Sequence, residues 1–328
     1  MANLSVDYMG MNLKNPIIVG SSGLSKNAGG IQKIQAAGAG AVVLKTLFEV
    51  GIAAESDKLE EGFQQGDAHT EAHDLIHDMH YQYSLSAYAD LIKQAKADTE
   101  IPIIASINCY KPEVWLEFTK MVDKAGADGI EINLSYFKNS VKASAQEVED
   151  EQMEIVKNVI SNTKLPVAVK IGPYYSSMAN FVQRLSFNGA KAIVLFNRFY
   201  KVDLDLEKLD FSAGQRFSSS TEMSSALRWV GLMSGEVKAE LIGSTGIKTG
   251  EDVVKMILAG AQAVQVCSAF YENGISYMST LLKGMNDWMD ENGFDSIDLL
   301  RARLSEKKLK GQKFWGRHQY IKSITGID

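Results

Sequence analysis

Two lysines, three asparagines and several small hydroxyl residues stand where short apolar runs stop. AVVLKT ends in Lys45 and Thr46, IPIIASIN in Asn108, and GIEINLS in Asn133, Leu134 and Ser135. LPVAVKIG carries Lys170, and AIVLFN ends in Asn197. AELIGST runs into Gly243, Ser244, Thr245 and Gly246, and AVQVCS ends in Cys267 and Ser268. A lysine ending a core strand is costly unless an anionic or electron-rich group meets it. Two of them with three amides describe a polar, partly cationic pocket, the other reading being a structural ion pair. GSTGIKTGEDV adds small residues, free backbone N–H groups and a helix start, which suit a phosphate, with Ser268 beside it. A tight turn would use the same glycines.

A second cluster lies in DAHTEAHDLIHDMHYQY, where His69, His73, His77 and His80 fall at helical spacing among Asp67, Glu71, Asp74 and Asp78. Such a stripe could hold a metal, form a substrate-binding helix, or be the solvated face of a helix beside the pocket. It lacks the HExxH arrangement, and no metal is assigned.

The elements that must position these residues show an internal echo. Gly38-Ala39, Gly126-Ala127, Gly189-Ala190 and Gly260-Ala261 each precede a short apolar run. A glycine just past a helix is the expected left-handed stop, and the runs lack strict alternation, as in parallel strands covered on both faces. Between them lie NPIIVGSS, IPIIASIN, LPVAVKIG and AELIGST, three of which begin at Pro16, Pro102 and Pro166. Amphipathic stretches such as 112–124 and 146–160 separate many of these runs. Eight strands alternating with helices predict a single (β/α)₈ TIM barrel of the α/β class, and no GxGxxG after the first strand supports an open doubly wound sheet. Residues 47–82 and 198–222 exceed ordinary loop length, giving insertions after strands two and six. Residues 1–304 form the expected barrel and 305–328 a basic extension with Lys307, Lys308, Lys310, Lys313 and Arg317, packed or touching a second subunit.

The chain has 328 residues, 45% hydrophobic and 23% charged, ordinary for a globular protein with a large core. A net charge of −6 argues against nucleic-acid or anionic-membrane partners. Two cysteines, Cys109 and Cys267, imply no disulfide framework. Neither a signal peptide nor a membrane span is legible, so a soluble cytoplasmic protein is expected.

Lys45-Thr46, EINLS (131–135), VKIGP (169–173), Asn197, IGSTGIKTGEDVVKMILAGAQAVQV (242–266) and the opening MGMNLKNPIIVGSSG resemble the dihydroorotate dehydrogenase family, in order over roughly residues 5–300. The resemblance implies FMN over the barrel mouth, a hydride passed to flavin N5, and a base that removes a proton from dihydroorotate. Position by position it implies that Ser21, Ser22 and Gly23 line the isoalloxazine and that Lys45 and Thr46 contact it. It places Asn108 and Asn133 on ribityl or substrate and Asn197 on the substrate ring, with Lys45 also at the substrate. Lys170 falls at flavin N1/O2, where a fixed positive charge stabilises the anionic reduced flavin. Gly243, Thr245, Gly246, Cys267 and Ser268 fall to the phosphate end.

The chain departs from that family in two loops. After Asn133-Leu134-Ser135 the family carries Cys or Ser as base, then Pro-Asn; here Tyr136, Phe137, Lys138 and Asn139 follow. Tyr136 therefore takes the base position, with a reference pKa near 10. The Asn-Gly-Leu-Pro-Asn loop after strand two is missing, and Ser218-Ser219-Ser220 replaces a glycine pair near the phosphate. The expected function is dihydroorotate oxidation with a soluble electron acceptor, in a homodimer. An FMN enzyme for another C–C bond or pyrimidine-like substrate, and a flavin protein without turnover, are the alternatives.

Overall fold

A computed structural model of the chain describes residues 2–52, 70–135, 138, 140–198, 201–309 and 315–316, with the side chains of 70–80 and 213 left aside. Eight parallel strands form its centre: β1 (Ile17–Val19), β2 (Ala41–Val43), β3 (Ile103–Asn108), β4 (Gly129–Asn133), β5 (Val167–Ile171), β6 (Ala192–Leu195), β7 (Glu240–Ser244) and β8 (Ala263–Val266). Each pairs with its sequence neighbour, β8 pairs with β1, and β2 with β3, so the sheet closes. The expected TIM barrel is the observed fold, with all eight apolar runs in place. Residues of β4 and β5 are buried throughout, because interior side chains fill the barrel and the others meet helices.

Helices cover the outside: α1 (Ala28–Ala36), α2 (Thr70–Asp98), α3 (Pro112–Ala125), α4 (Ala145–Ser161), α5 (Met178–Phe187), α6 (Met223–Met233), α7 (Gly250–Ala259) and α8 (Met278–Glu291). Their starts follow local chemistry. Pro112 opens α3, and Ser144 and Thr249 close capping boxes with Glu147 and Asp252 at α4 and α7. The four glycines of the Gly-Ala echo have φ between +87° and +121°, the backbone in which a side chain would be strained. A hairpin of Val6–Tyr8 and Met11–Leu13 precedes β1, and its Tyr8 is fully buried.

Both long connections have structure of their own. After β2, Leu47–Phe48 pairs with the end of β3, and α2 then runs for 29 residues. His69 lies outside the described residues; His73, His77 and His80 fall on the α2 backbone, with side chains outside the description. After β6, Val202–Asp205 and Asp210–Ala213 form an antiparallel hairpin, which loop length alone did not predict. At the C-terminal end Trp315 lies on Gly231 of α6 and donates from Nε1 to Leu304 O at 2.6 Å, so this part of the extension packs on the barrel. Among the described residues, no helix is long and apolar enough to cross a membrane.

Candidate active site

The C-terminal ends of the strands gather the polar residues. Lys170, next to last on β5, is 8% exposed, and its Nζ donates to Gln265 Oε1 on β8 at 3.0 Å. Gln265 Nε2 in turn donates to the Glu131 carboxylate on β4. Burial pushes the Glu131 carboxyl up from its ordinary value, while the Lys170 ammonium and the Gln265 amide pull it down. One ammonium is thus held inside a nearly dry barrel by one amide.

The three asparagines form a second group. Asn197 Nδ2 donates to Asn133 Oδ1 at 2.7 Å, and Asn108 Nδ2 to Asn133 O at 2.8 Å. Hydroxyls stitch the opposite wall. Ser21 Oγ and Thr46 Oγ1 lie 2.8 Å apart, and Thr46 Oγ1 is 2.8 Å from Ser106 Oγ. Lys45 is exposed and, with Thr46, lines a different cavity, of about 620 Å³, together with Lys26, Phe48, Tyr83 and Tyr88. The two lysines expected in one pocket therefore do not share one.

A cavity of about 160 Å³ is lined by Ser21, Lys170, Asn197, Thr245, Gly246, Cys267 and Ser268, together with Arg198, Ser218, Ser244 and Gln265. Ser218 donates through N and Oγ to Ser268 Oγ at 3.1 and 3.0 Å, and Gly246 N donates to Ser218 Oγ at 3.2 Å. Thr245 and Gly246 both have positive φ, 76° and 77°, and Thr245 Oγ1 donates to Phe196 O at 3.1 Å. A Cβ on Gly246 would stand 2.5 Å from Met223 N, so that wall accepts no side chain. At Gly20 a Cβ would stand 2.8 Å from Cys267 Sγ. Burial pushes the Cys267 thiol up, against Lys170 and Ser22, so the thiol stays protonated at neutral pH.

Two expected phosphate contributions differ, and two expected isoalloxazine contacts lie off this cavity. Gly243 does not line this cavity; its missing side chain leaves room for Met256 Sδ, 2.8 Å from a Cβ built there, and Ser244 lines the cavity instead. The α7 N-terminus also lies apart, because Gly250 packs on the Leu281–Met285 backbone and Thr249 and Asp252 cap the helix themselves. The short helix Ser268–Asn273 opens at the cavity. Ser22 and Gly23 are not among the lining residues, and a Cβ on Gly23 would meet the Tyr271 hydroxyl at 2.8 Å.

Arg198 braces this wall. Its Nε donates to Glu222 Oε1 at 3.1 Å, Nη1 to Arg216 O at 3.0 Å, and Nη2 to Gln215 O and Phe217 O at 2.8 and 3.1 Å. Burial pushes Glu222 up, yet the Ser219 N–H, Arg198 and Lys201 outweigh it and bring the carboxyl to about 2. A larger cavity, of about 480 Å³, adjoins at Asn197 and Arg198 and is lined by Leu134, Ser135, Lys138, Gly172, Tyr174 and Tyr175 among others. Lys138 is paired with Glu151 of α4. Tyr136, Phe137 and Asn139 lie outside the described residues.

Sequence reading missed Glu131, Gln265 and the bracing role of Arg198. The signal for the first two was present: each is a long polar residue inside an otherwise apolar run, GIEIN or AVQV. Nothing in the sequence marks which carbonyls Arg198 meets.

The sequence model of the family described as Dihydroorotate dehydrogenase matches residues 3–289. The "Dihydroorotate dehydrogenase B (NAD(+)), catalytic subunit" of Thermoplasma acidophilum is 28% identical over 306 residues, covering 90% of this chain and 97% of the relative. A protein of the same description from Pyrococcus abyssi is 28% identical over 302 residues, covering 90% and 96%. The "Dihydroorotate dehydrogenase (fumarate)" of Lachancea kluyveri is 26% identical over 227 residues, covering 65% and 71%.

Proposed function

The chain belongs to the dihydroorotate dehydrogenase family, and from that premise we propose that it is an FMN-dependent oxidoreductase that converts dihydroorotate to orotate in pyrimidine biosynthesis. The observation that carries the reading is the buried Lys170 ammonium, set in one cavity with the glycine-walled cradle of Gly246, Ser218 and Ser268. That cradle fits a flavin phosphate: it sets the Ser218 and Ser268 hydroxyls 3.0 Å apart and excludes a side chain at Gly246. FMN, when bound, supplies a hydride acceptor at N5.

The chain's own residues do the rest. Lys170 holds a positive charge where negative charge develops on the reduced flavin, and it acts in a site nearly closed to water. Asn197, which lines both cavities, orients the substrate ring where they adjoin, with Asn133 bonded behind it. Tyr136 is assigned the proton-accepting position. After Ser135 the chain carries Lys138 where the resemblance places an asparagine, and Lys138 is tied to Glu151, which supports a second reading: oxidation of another C–C bond in a pyrimidine-like ring.

The electron acceptor is a soluble one, in line with relatives named for NAD and for fumarate. We place the protein in the cytoplasm, with residues 1–304 as barrel and 305–328 as its extension. A homodimer is supported by the hairpin after β6. Leu204 pairs with Phe211 on one ribbon face with Val202, and these are 60%, 78% and 61% exposed; Asp203, Asp205 and Asp210 take the other face. Such an isolated apolar ribbon calls for a covering surface.

The test is to load the protein with FMN anaerobically and add dihydroorotate. Prompt bleaching of the flavin band is the expected result. A flavin that stays oxidised with dihydroorotate but is bleached by another dihydropyrimidine would transfer the assignment to the second reading. Failure to take up FMN at all refutes both.

A further inference from the structure

Below Lys170 the barrel interior holds two polar side chains that the proposed reaction does not use. Glu131 and Gln265 are 0% and 2% exposed, on opposite sides of the barrel at β4 and β8. Gln265 reaches both neighbours: its Oε1 accepts from Lys170 Nζ at 3.0 Å, and its Nε2 donates to Glu131 Oε2. An ammonium has only donors, so the amide must present oxygen to it. The carboxyl takes the amide nitrogen at the other end and thereby fixes which way the amide faces. Without that acceptor the amide is free to turn, and an NH₂ facing the ammonium would repel it. Burying an ammonium and a carboxyl in the same core is costly, and packing alone would be served better by apolar residues. The arrangement therefore calls for a use.

Resting on the assignment of FMN to this cavity, we propose that Glu131 is a positioning residue: through Gln265 it holds the Lys170 ammonium in the cavity, aimed at the negative charge of the reduced flavin. Glu131 touches neither flavin nor substrate. Its acceptor oxygen, rather than its charge, is the working part.

Sulfite and the midpoint potential report on positive charge beside a flavin without any turnover. In FMN-loaded protein, Glu131→Leu is expected to weaken sulfite binding ten- to a hundredfold, the size of one lost hydrogen bond to a charged group, and to make the potential more negative. Glu131→Gln, whose amide oxygen can still accept the Gln265 N–H, is expected to recover sulfite affinity to within about threefold of wild type, on the same scale of a neutral hydrogen bond. Gln265→Met should lose sulfite affinity as Glu131→Leu does, and it decides the matter if Glu131→Leu fails to fold. Folded, FMN-loaded Glu131→Leu or Gln265→Met with wild-type sulfite affinity and potential overturns the proposal. So does a Glu131→Gln protein as impaired as Glu131→Leu. Wild-type protein that does not bind FMN instead overturns the cofactor assignment on which the proposal stands.

Discussion

Replacing Arg198 by methionine keeps the length of the side chain and removes the fork that braces the cradle wall. Four N–H···O contacts are lost, to Glu222, Arg216 O, Gln215 O and Phe217 O, at 2.8–3.1 Å. A hydrogen bond to a charged group contributes about 1.5–3 kcal/mol, but these do not add. Gln215 and Arg216 are exposed, so water takes up their carbonyls, and Lys201 still pairs with Glu222 at 3.2 Å. What remains is the guanidinium bond to half-buried Phe217 O and part of the bond to Glu222, a net loss of about 2–3 kcal/mol. The loss falls on residues 215–222, which carry Ser218 and hence its bonds to Gly246 and Ser268. At about 1.4 kcal/mol per tenfold, FMN affinity should drop by about 30- to 140-fold. Titration of apoprotein with FMN, followed by fluorescence quenching, measures this, and far-UV circular dichroism should report little change in the barrel. Arg198→Lys, which keeps the charge but not the fork, should fall between. An Arg198→Met protein that binds FMN within about twofold of wild type would refute the bracing argument, since that difference is under 0.5 kcal/mol.

Glu240 on β7 tests the barrel floor. Burial raises its carboxyl to about 7 although Met9 N donates to it at 2.8 Å. The folded value lies above the unfolded one, so the penalty is absent below about pH 4.5, grows as pH rises, and is complete above about 7. Lifting the carboxyl from 4.5 to about 7 sets a ceiling near 3.4 kcal/mol, which water at this partly exposed group reduces to about 1–2. Glu240→Gln should therefore be stabilised by that amount in urea unfolding at pH 8 and unchanged at pH 4; an equal difference at both would sink the reading. For the hairpin, Leu204→Asp with Phe211→Asp is expected to turn a dimer into a monomer in sedimentation while FMN binding is kept. Monomeric wild-type protein at micromolar concentration would remove the dimer from the proposal.

The barrel was legible in the sequence because parallel strands buried on both faces need continuous apolar runs, and because each helix must stop on a residue tolerant of positive φ before the next strand. Gly38, Gly126, Gly189 and Gly260 meet that need and were readable as such. Lys170, Asn133, Asn197 and Ser268 were also legible, since a polar residue that ends an apolar run has few places to go except the mouth. Tertiary structure decided what sequence periodicity cannot carry. Lys45 and Lys170 line separate cavities, and Thr46 beside Lys45 bonds to Ser21 and Ser106, 25 and 60 residues away along the chain. Gly243 serves Met256 rather than the cradle, and α7 caps itself, so the cradle is built from Ser218 and Ser268, 50 residues apart. Glu131 and Gln265, 134 residues apart, become partners only because closing the sheet brings β4 and β8 across one interior. Local propensity acts within a few residues; which distant side chains meet is set by barrel closure and by the cost of leaving a buried polar atom unpaired.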